Sequence, residues 1–362
     1  MRLFRSIATF LLPVLAVIAF QQDASAAGRG YYLTQATMAA YYVVVTLGLA
    51  LLMGHAGQVS LGHGAFFALG GYTSAILTTR PLDLPPAAER TLSALGCVLR
   101  AEDAAGVPQL VVAPPAAFAA ALLLTLAVAL LVGYPTLRLR GYYLAMATLG
   151  FGLIVYRVLL GTPFTGAADG IHGVPGWSFG GAFTLCGRRD HRVANYYFAW
   201  GAALLTLLLL RNLIRSRFGR ALAAIHDHET AAGAMGVNTA ACKLQAFVVS
   251  ALLAAAAGVF ATHFNGGIGP SEAGALKSVR YVALVAAGGM GNLPGVLAAS
   301  AGLTFLSLRD AFGTYDDAVF GAILIAVVTW APQGPLEPLG RALRGLAAWR
   351  PARREAARRG AA

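Results

Sequence analysis

One glycine-rich stretch concentrates the polar side chains that an otherwise apolar sequence offers for chemistry: Gly54-His55-Ala56-Gly57-Gln58-Val59-Ser60-Leu61-Gly62-His63-Gly64-Ala65-Phe66-Phe67, followed by Gly70-Gly71-Tyr72-Thr73. Its glycines interrupt an apolar span, and a broken helix presents backbone N–H and C=O groups able to bind a small zwitterion. Gly57, Gln58, Ser60, Gly62 and His63 are therefore candidates for a substrate pathway. Gly288, Gly289 and Gly291, in Gly288-Gly289-Met290-Gly291-Asn292-Leu293-Pro294-Gly295, form a second pathway or gate candidate. The alternative is that the glycines only let helices pack closely and that His63 is a satisfied buried histidine, which is the preferred reading for His63 itself. Ser60 and His63 also have the spacing of a nucleophile and a base, but spacing is all that supports an intramembrane enzyme.

Other chemistries lack residues. No GxxxxGK[ST] loop occurs, so the chain cannot hold a nucleotide in a Walker-type cradle. Cys97, Cys186 and Cys242 form neither a CxxC pair nor a His/Cys cluster, so no metal is expected. Cys97 and Cys186 fall on one predicted side, where they are either two thiols or one disulfide. The net charge of +12 comes from 25 arginines and only two lysines. These lie in loops and a basic tail without interleaved aromatics, so nucleic-acid binding is not expected.

The elements that must position these residues are membrane helices. The 362 residues are 58% hydrophobic and 12% charged, with a mean hydropathy of +0.67. Soluble domains carry roughly one quarter charged residues, so a soluble enzyme is excluded. Forty-three glycines and 16 prolines favour tightly packed, partly broken helices over the alternating strands of an outer-membrane barrel. Spans near the roughly 20-residue requirement fall at 34–53, 59–79, 111–132, 142–160, 194–210 and 244–264, with a final run at 318–332. Residues 276–308 are too long for one crossing and break at the second glycine motif, so they are expected to cross twice.

Residues 1–26 carry Arg2 and Arg5, an apolar run broken at Pro13, and Ala24-Ser25-Ala26. They read as a retained first helix or a cleavable signal peptide, the former preferred. Residues 27–336 read as one membrane domain and 337–362 as a basic cytoplasmic tail. The positive-inside rule puts 133–141, 211–243 and the tail, with its seven arginines, in the cytoplasm. The expectation is an all-α, polytopic integral membrane protein of about ten transmembrane helices with both ends inside. Segments 81–110 and 309–317 are near neutral or acidic and external, whereas 161–193 is external despite Arg188, Arg189 and Arg192.

An intramembrane carboxylate is the usual proton or sodium handle of a secondary transporter. Every Asp and Glu falls in a predicted loop or near a helix end, leaving His63 and at most His263 or Arg157 at depth, so proton coupling is disfavoured. Any energy from ATP must come from a partner. Loop 211–243 offers a contact: Gly219-Arg220-Ala221-Leu222-Ala223-Ala224-Ile225 reads as one short helix and Glu229-Thr230-Ala231-Ala232-Gly233-Ala234-Met235-Gly236 as another. An ordinary amphipathic connector at the membrane surface is the alternative.

Five spaced segments resemble the inner-membrane permease subunits of branched-chain amino acid ABC importers. The first is the 54–73 stretch. The second is Leu137-Arg138-Leu139-Arg140-Gly141-Tyr142-Tyr143-Leu144-Ala145 with Thr148-Leu149-Gly150-Phe151-Gly152. The others are the external Thr165-Gly166-Ala167-Ala168-Asp169-Gly170-Ile171-His172-Gly173-Val174-Pro175, the docking loop at 220–238, and Ala287-Gly288-Gly289-Met290-Gly291 with Pro332-Gln333-Gly334. They run in order from 31 to 336. The long 81–110 connection and the His226-Asp227-His228 run depart from the family's pattern.

The resemblance implies an ABC importer permease that is not itself an enzyme and holds no cofactor, ATP being bound by partner subunits. It implies a second permease subunit, two cytoplasmic ATP-binding subunits, a periplasmic solute-binding protein, membrane lipids around it and a bacterial inner (plasma) membrane location. Arg220, Asp227, Glu229, Ala232 and Gly236 are then the expected ATPase contacts, with Glu229 as anchor. Gly166, Asp169, Gly170 and Gly173 are candidates for receiving the binding protein, a self-satisfied turn being the alternative. Branched-chain or related amino acids are the expected cargo; urea or short amides share the pattern. A stand-alone channel or ion-coupled carrier is the competing class, separated by transport without ATPase subunits.

Overall fold

The computed structural model describes residues 2–81, 93, 96–102, 108–136, 142–179 and 183–330. The Arg138/Arg140 segment at 137–141, most of 81–110, Pro332-Gln333-Gly334 and the 337–362 tail lie outside the described residues.

All ten expected spans correspond to helices. They are α1 (Arg2–Ala26), α2 (Tyr31–His55), α3 (His63–Thr79), α4 (Pro114–Thr136), α5 (Tyr142–Gly161), α6 (Arg192–Arg215), α9 (Thr239–Asn265), α10 (Ala275–Gly288), α11 (Leu293–Leu308) and α12 (Asp316–Trp330). Between α6 and α9 lie the short α7 (Arg217–Asp227) and α8 (Glu229–Ala234). Among the described residues, five helices are long and apolar enough to cross a membrane: α2, α4, α5, α9 and the helix that includes α6. The fold is all-α as expected, and among the described residues the connections carry three two-stranded antiparallel ladders: β1 (Val98–Glu102) with β2 (Pro108–Val112), β3 (Ile171–His172) with β6 (Gly267–Ile268), and β4 (Trp177–Phe179) with β5 (Phe183–Leu185).

Helix α2 is apolar on every side and is the central element, enclosed by α3, α6, α9, α10 and α11. Helices α4 and α5 are equally apolar but largely exposed, with Leu123, Leu131 and Ile154 facing outward. Such surfaces suit lipid or another membrane subunit.

Close helix approach accounts for part of the first glycine stretch. A Cβ on Gly70 would stand 2.3 Å from the Ala255 carbonyl oxygen, and one on Gly258 would stand 2.0 Å from that of Phe67. Backbone contact between α3 and α9 therefore requires hydrogen at both sites, and here the packing reading of the glycines holds. Two side-chain bonds set the helices parallel: His63 Nε2 with Ser250 Oγ at 2.6 Å, and Ser74 Oγ with His263 Nε2 at 2.8 Å.

Residues 276–308 form two short helices rather than one. Gly288 packs on the backbone of Val296, and Arg280 reaches Ser307 at the far end of α11, so α10 and α11 form a tight antiparallel hairpin. Their 14 and 16 residues span about 21 and 24 Å at 1.5 Å per residue. Each falls short of a hydrocarbon core of about 30 Å.

Candidate functional site

Two non-helical segments fold back beside long helices. Helix α2 ends at His55; residues 56–62 then reverse, and α3 begins at His63 rather than at 59. Gln58 N–H donates to the Leu52 carbonyl at 3.0 Å and Leu61 N–H to Thr148 Oγ1 at 3.0 Å, which hold this segment between α2 and α5. Residues 266–274 similarly follow the end of α9 and lead into α10 at Ala275. The N-termini of α3 and α10 meet: Gly64 N–H donates to Ser278 Oγ at 3.2 Å.

The depth of this junction follows from α2. Tyr42 lies 11 residues after the start of α2 and 13 before its end, about 17 and 20 Å from the two ends. Its hydroxyl accepts from Lys277 Nζ at 2.9 Å and donates to the Glu272 carboxylate at 3.4 Å. Lys277 and Glu272 pair at 2.8 Å. The sequence-based placement of every carboxylate in loops or near helix ends is thus corrected: Glu272 returns to mid-span because residues 266–274 re-enter the bundle. It was missed because local hydropathy scores 266–274 as a loop. The available signal was a second Gly-rich run, Gly266-Gly267-Ile268-Gly269-Pro270, ahead of a helix, with one of only two lysines close behind.

Among the pathway candidates, Gln58 and Ser60 are buried, and Ser60 Oγ accepts from Gly62 N–H at 3.5 Å. Gln58 Oε1 has no hydrogen-bond partner among the described residues. His63 is buried and its Nε2 bonds Ser250 Oγ while Ser60 Oγ accepts from Gly62, so the two side chains hold different partners rather than each other as nucleophile and base. Gly62 lies against the Thr148 carbonyl. Gly57 adopts φ +66° and abuts the His226 ring, a left-handed conformation that favours glycine. Gly288 and Gly289 are buried, whereas Gly291 is exposed. Met290, in the turn between α10 and α11, touches Gly54 at the end of α2. Gly291 and Asn292 border a cavity of about 260 Å³ with His55, Arg211 and Arg215.

In the 211–243 loop, α7 buries Gly219, Leu222 and Ile225 on one face and leaves Arg220 and Asp227 exposed. Glu229, expected to anchor a partner, pairs with Lys243 at 2.6 Å and so ties α8 to α9. Ala232 is 5% exposed and lies on the inner side of α8. Gly236 is exposed, with φ +85°, where α8 turns towards α9.

On the opposite side, the 165–175 loop is built on its own backbone. Asp169 and Gly170 N–H groups both donate to the Gly166 carbonyl, while Asp169 and Gly173 are exposed. Gly170 at φ +75° lies against the Ile268 carbonyl, and Ile171–His172 pairs with Gly267–Ile268. The 165–175 loop thus rests on the segment entering α10, as α7 rests on the segment entering α3. Asp316 and Asp317, expected in an external loop, begin α12 and pair with Arg280 at 2.7 Å. Cys97, Cys186 and Cys242 are unbridged. Among the described residues, no group of three His, Cys, Asp or Glu is placed to hold a metal.

A helical bundle with two re-entrant segments meeting at mid-span defines a multi-pass membrane protein of the transporter permease class. The chain belongs to the branched-chain amino acid transport system permease component family, whose profile matches residues 31–328. It is 31% identical over 322 residues to the high-affinity branched-chain amino acid transport system permease protein LivM of Salmonella typhimurium, covering 83% of this chain and 69% of that protein. LivM of Escherichia coli K12 is 32% identical over the same extent. The permease protein LivH of Escherichia coli K12 is 33% identical over 144 residues, 38% of this chain and 46% of LivH. No solved structure matches with statistical significance.

Proposed function

We propose that this chain is the membrane-spanning permease subunit of an ATP-driven importer in the bacterial inner membrane, passing branched-chain or related amino acids received from a periplasmic binding protein. It pairs with a related permease subunit, while two cytoplasmic subunits bind and hydrolyse ATP. The observation that carries this reading is the contact of His226, on the cytoplasmic α7, with Gly57 at the start of the segment feeding α3. A displacement of α7 by a motor bears directly on the junction at Gly64 and Ser278. Arg220, Asp227 and Gly236 form the outer surface of that coupling loop, with Glu229 and Ala232 holding it in shape. The loop carrying Gly166, Asp169, Gly170 and Gly173 receives the binding protein and bears on α10 through β6. The names of the related permeases support the cargo class.

Reconstitution in liposomes with co-permease, ATP-binding subunits and binding protein tests this, following labelled leucine and urea with and without ATP. Leucine uptake that requires ATP is expected. Urea uptake instead keeps the machine and changes the cargo, whereas uptake by this chain alone without ATP overturns the subunit reading.

A further inference from the structure

We propose that Glu272 and Lys277 form a mid-membrane subsite that reads the two charges of an amino acid zwitterion, Glu272 taking the ammonium and Lys277 the carboxylate. The inference rests on the functional reading above and assigns the part of the path that recognises cargo. The two groups pair with each other at 2.8 Å, and both contact the Tyr42 hydroxyl. An ion pair moved out of water is a poor way to stabilise a fold, since apolar residues of similar volume often serve as well or better. Its side chains are nevertheless 20% and 27% exposed, so the pair faces an opening rather than a sealed core.

The surroundings divide by charge preference. Lys277 lies in the first turn of α10, where the helix N-terminus favours an anion. Beside it, a cavity of about 50 Å³ is bordered by Tyr42, Lys277, Arg280, Tyr281 and Thr304. The Tyr281 and Thr304 hydroxyls are buried there without a hydrogen-bond partner among the described residues. Unpaired buried donors are costly, and two beside a lysine suit the oxygens of a carboxylate. A second cavity bordered by Tyr42, of about 80 Å³, is lined by Glu272, Thr262 and Asn265, whose side-chain oxygens can accept from an ammonium. Each cavity has room for a few waters and not for a whole amino acid. The structure therefore shows the pair closed on itself, and an incoming zwitterion opens it by substituting its own charges for the internal partners.

Arg280 does not compete for this role, because Asp316 and Asp317 already neutralise it. No covalent bond is made or broken in the exchange, which is a swap of ionic partners.

The test uses the complete reconstituted transporter and reads both leucine uptake and binding-protein-stimulated ATP hydrolysis. Glu272→Gln and Lys277→Gln are expected to cut uptake at least tenfold while stimulated hydrolysis stays within about twofold. The exchanged pair E272K/K277E is expected to assemble at wild-type yield without regaining uptake, because the cargo's charges then meet the wrong ends. Tyr281→Phe removes a hydroxyl that has no hydrogen-bond partner among the described residues; it is expected to leave assembly unchanged and lower uptake at least threefold. Wild-type uptake in either single variant, or its recovery in the exchanged pair, overturns the subsite while leaving the importer reading intact. Uptake of uncharged urea in place of leucine by the wild type overturns the subsite too, since urea carries no charges to read.

Discussion

His226 packs so closely on Gly57 that a Cβ at position 57 would stand 2.7 Å from its Nδ1. The first residue belongs to the surface helix α7 and the second to the segment that turns back between α2 and α3. In the proposed importer they join the part of the chain that a motor touches to the part that cargo passes.

Gly57→Ala is accordingly expected to impair coupling. Forcing a side chain into φ +66° costs on the order of 1–3 kcal/mol, and the methyl displaces the imidazole. Leucine imported per ATP hydrolysed should fall several-fold, with partial recovery in the Gly57→Ala/His226→Gly double variant. An unchanged ratio in the single variant would show that the contact transmits nothing.

Gly70→Ala and Gly258→Ala test the α3–α9 contact, where the added methyls would meet backbone at 2.3 and 2.0 Å. Each should destabilise the subunit by about 1–3 kcal/mol, the usual cost of overpacking. The double variant should cost less than the two combined, because helices already forced apart accommodate the second methyl. Thermal unfolding of the purified assembly checks both statements, and strict additivity would contradict a shared interface.

The Glu229–Lys243 pair, with side chains 35% and 12% exposed, is worth at most about 1 kcal/mol after solvent screening. Its expected importance is geometric. Glu229→Lys places two cations where 2.6 Å now separates opposite charges, and should release α8 and abolish ATP-dependent uptake. Restoration by the exchanged E229K/K243E pair would assign Glu229 to holding the loop. Failure of that exchange to restore uptake would assign the carboxylate to a partner subunit.

The orientation is checked with single cysteines in a chain whose native Cys97, Cys186 and Cys242 are replaced by alanine. Asp169 and Asp227 are both exposed. Asp169→Cys should react with a membrane-impermeant maleimide added outside spheroplasts, and Asp227→Cys only after the membrane is opened. The reverse pattern would invert the topology drawn from the arginine bias.

Much of this molecule was legible one residue at a time. Hydropathy and length located ten helices, because each span must satisfy its backbone hydrogen bonds internally and shed charge along its length. The Gly/Pro break at 288–295 marked the α10–α11 turn, and the small helices of the 217–234 region were visible in their composition. The glycines of 166–173 marked either a partner contact or a turn, and local composition could not choose between them.

What the tertiary structure alone decided is where those pieces meet. Glu272 looks like a loop carboxylate because a hydropathy window sees only its neighbours; its depth depends on residues 266–274 turning back beside α2, some 230 positions away from Tyr42. The division of the glycines into two jobs was equally hidden. Gly70 and Gly258 admit a neighbouring backbone, whereas Gly57 accommodates a histidine of α7. The burial of Ala232 and the pairing of Glu229 with Lys243 were hidden for the same reason: the face a residue presents is set by the helix packed against it. Composition and local pattern determine that a segment enters the membrane, while depth, facing and partnership are properties of contacts between segments distant in sequence.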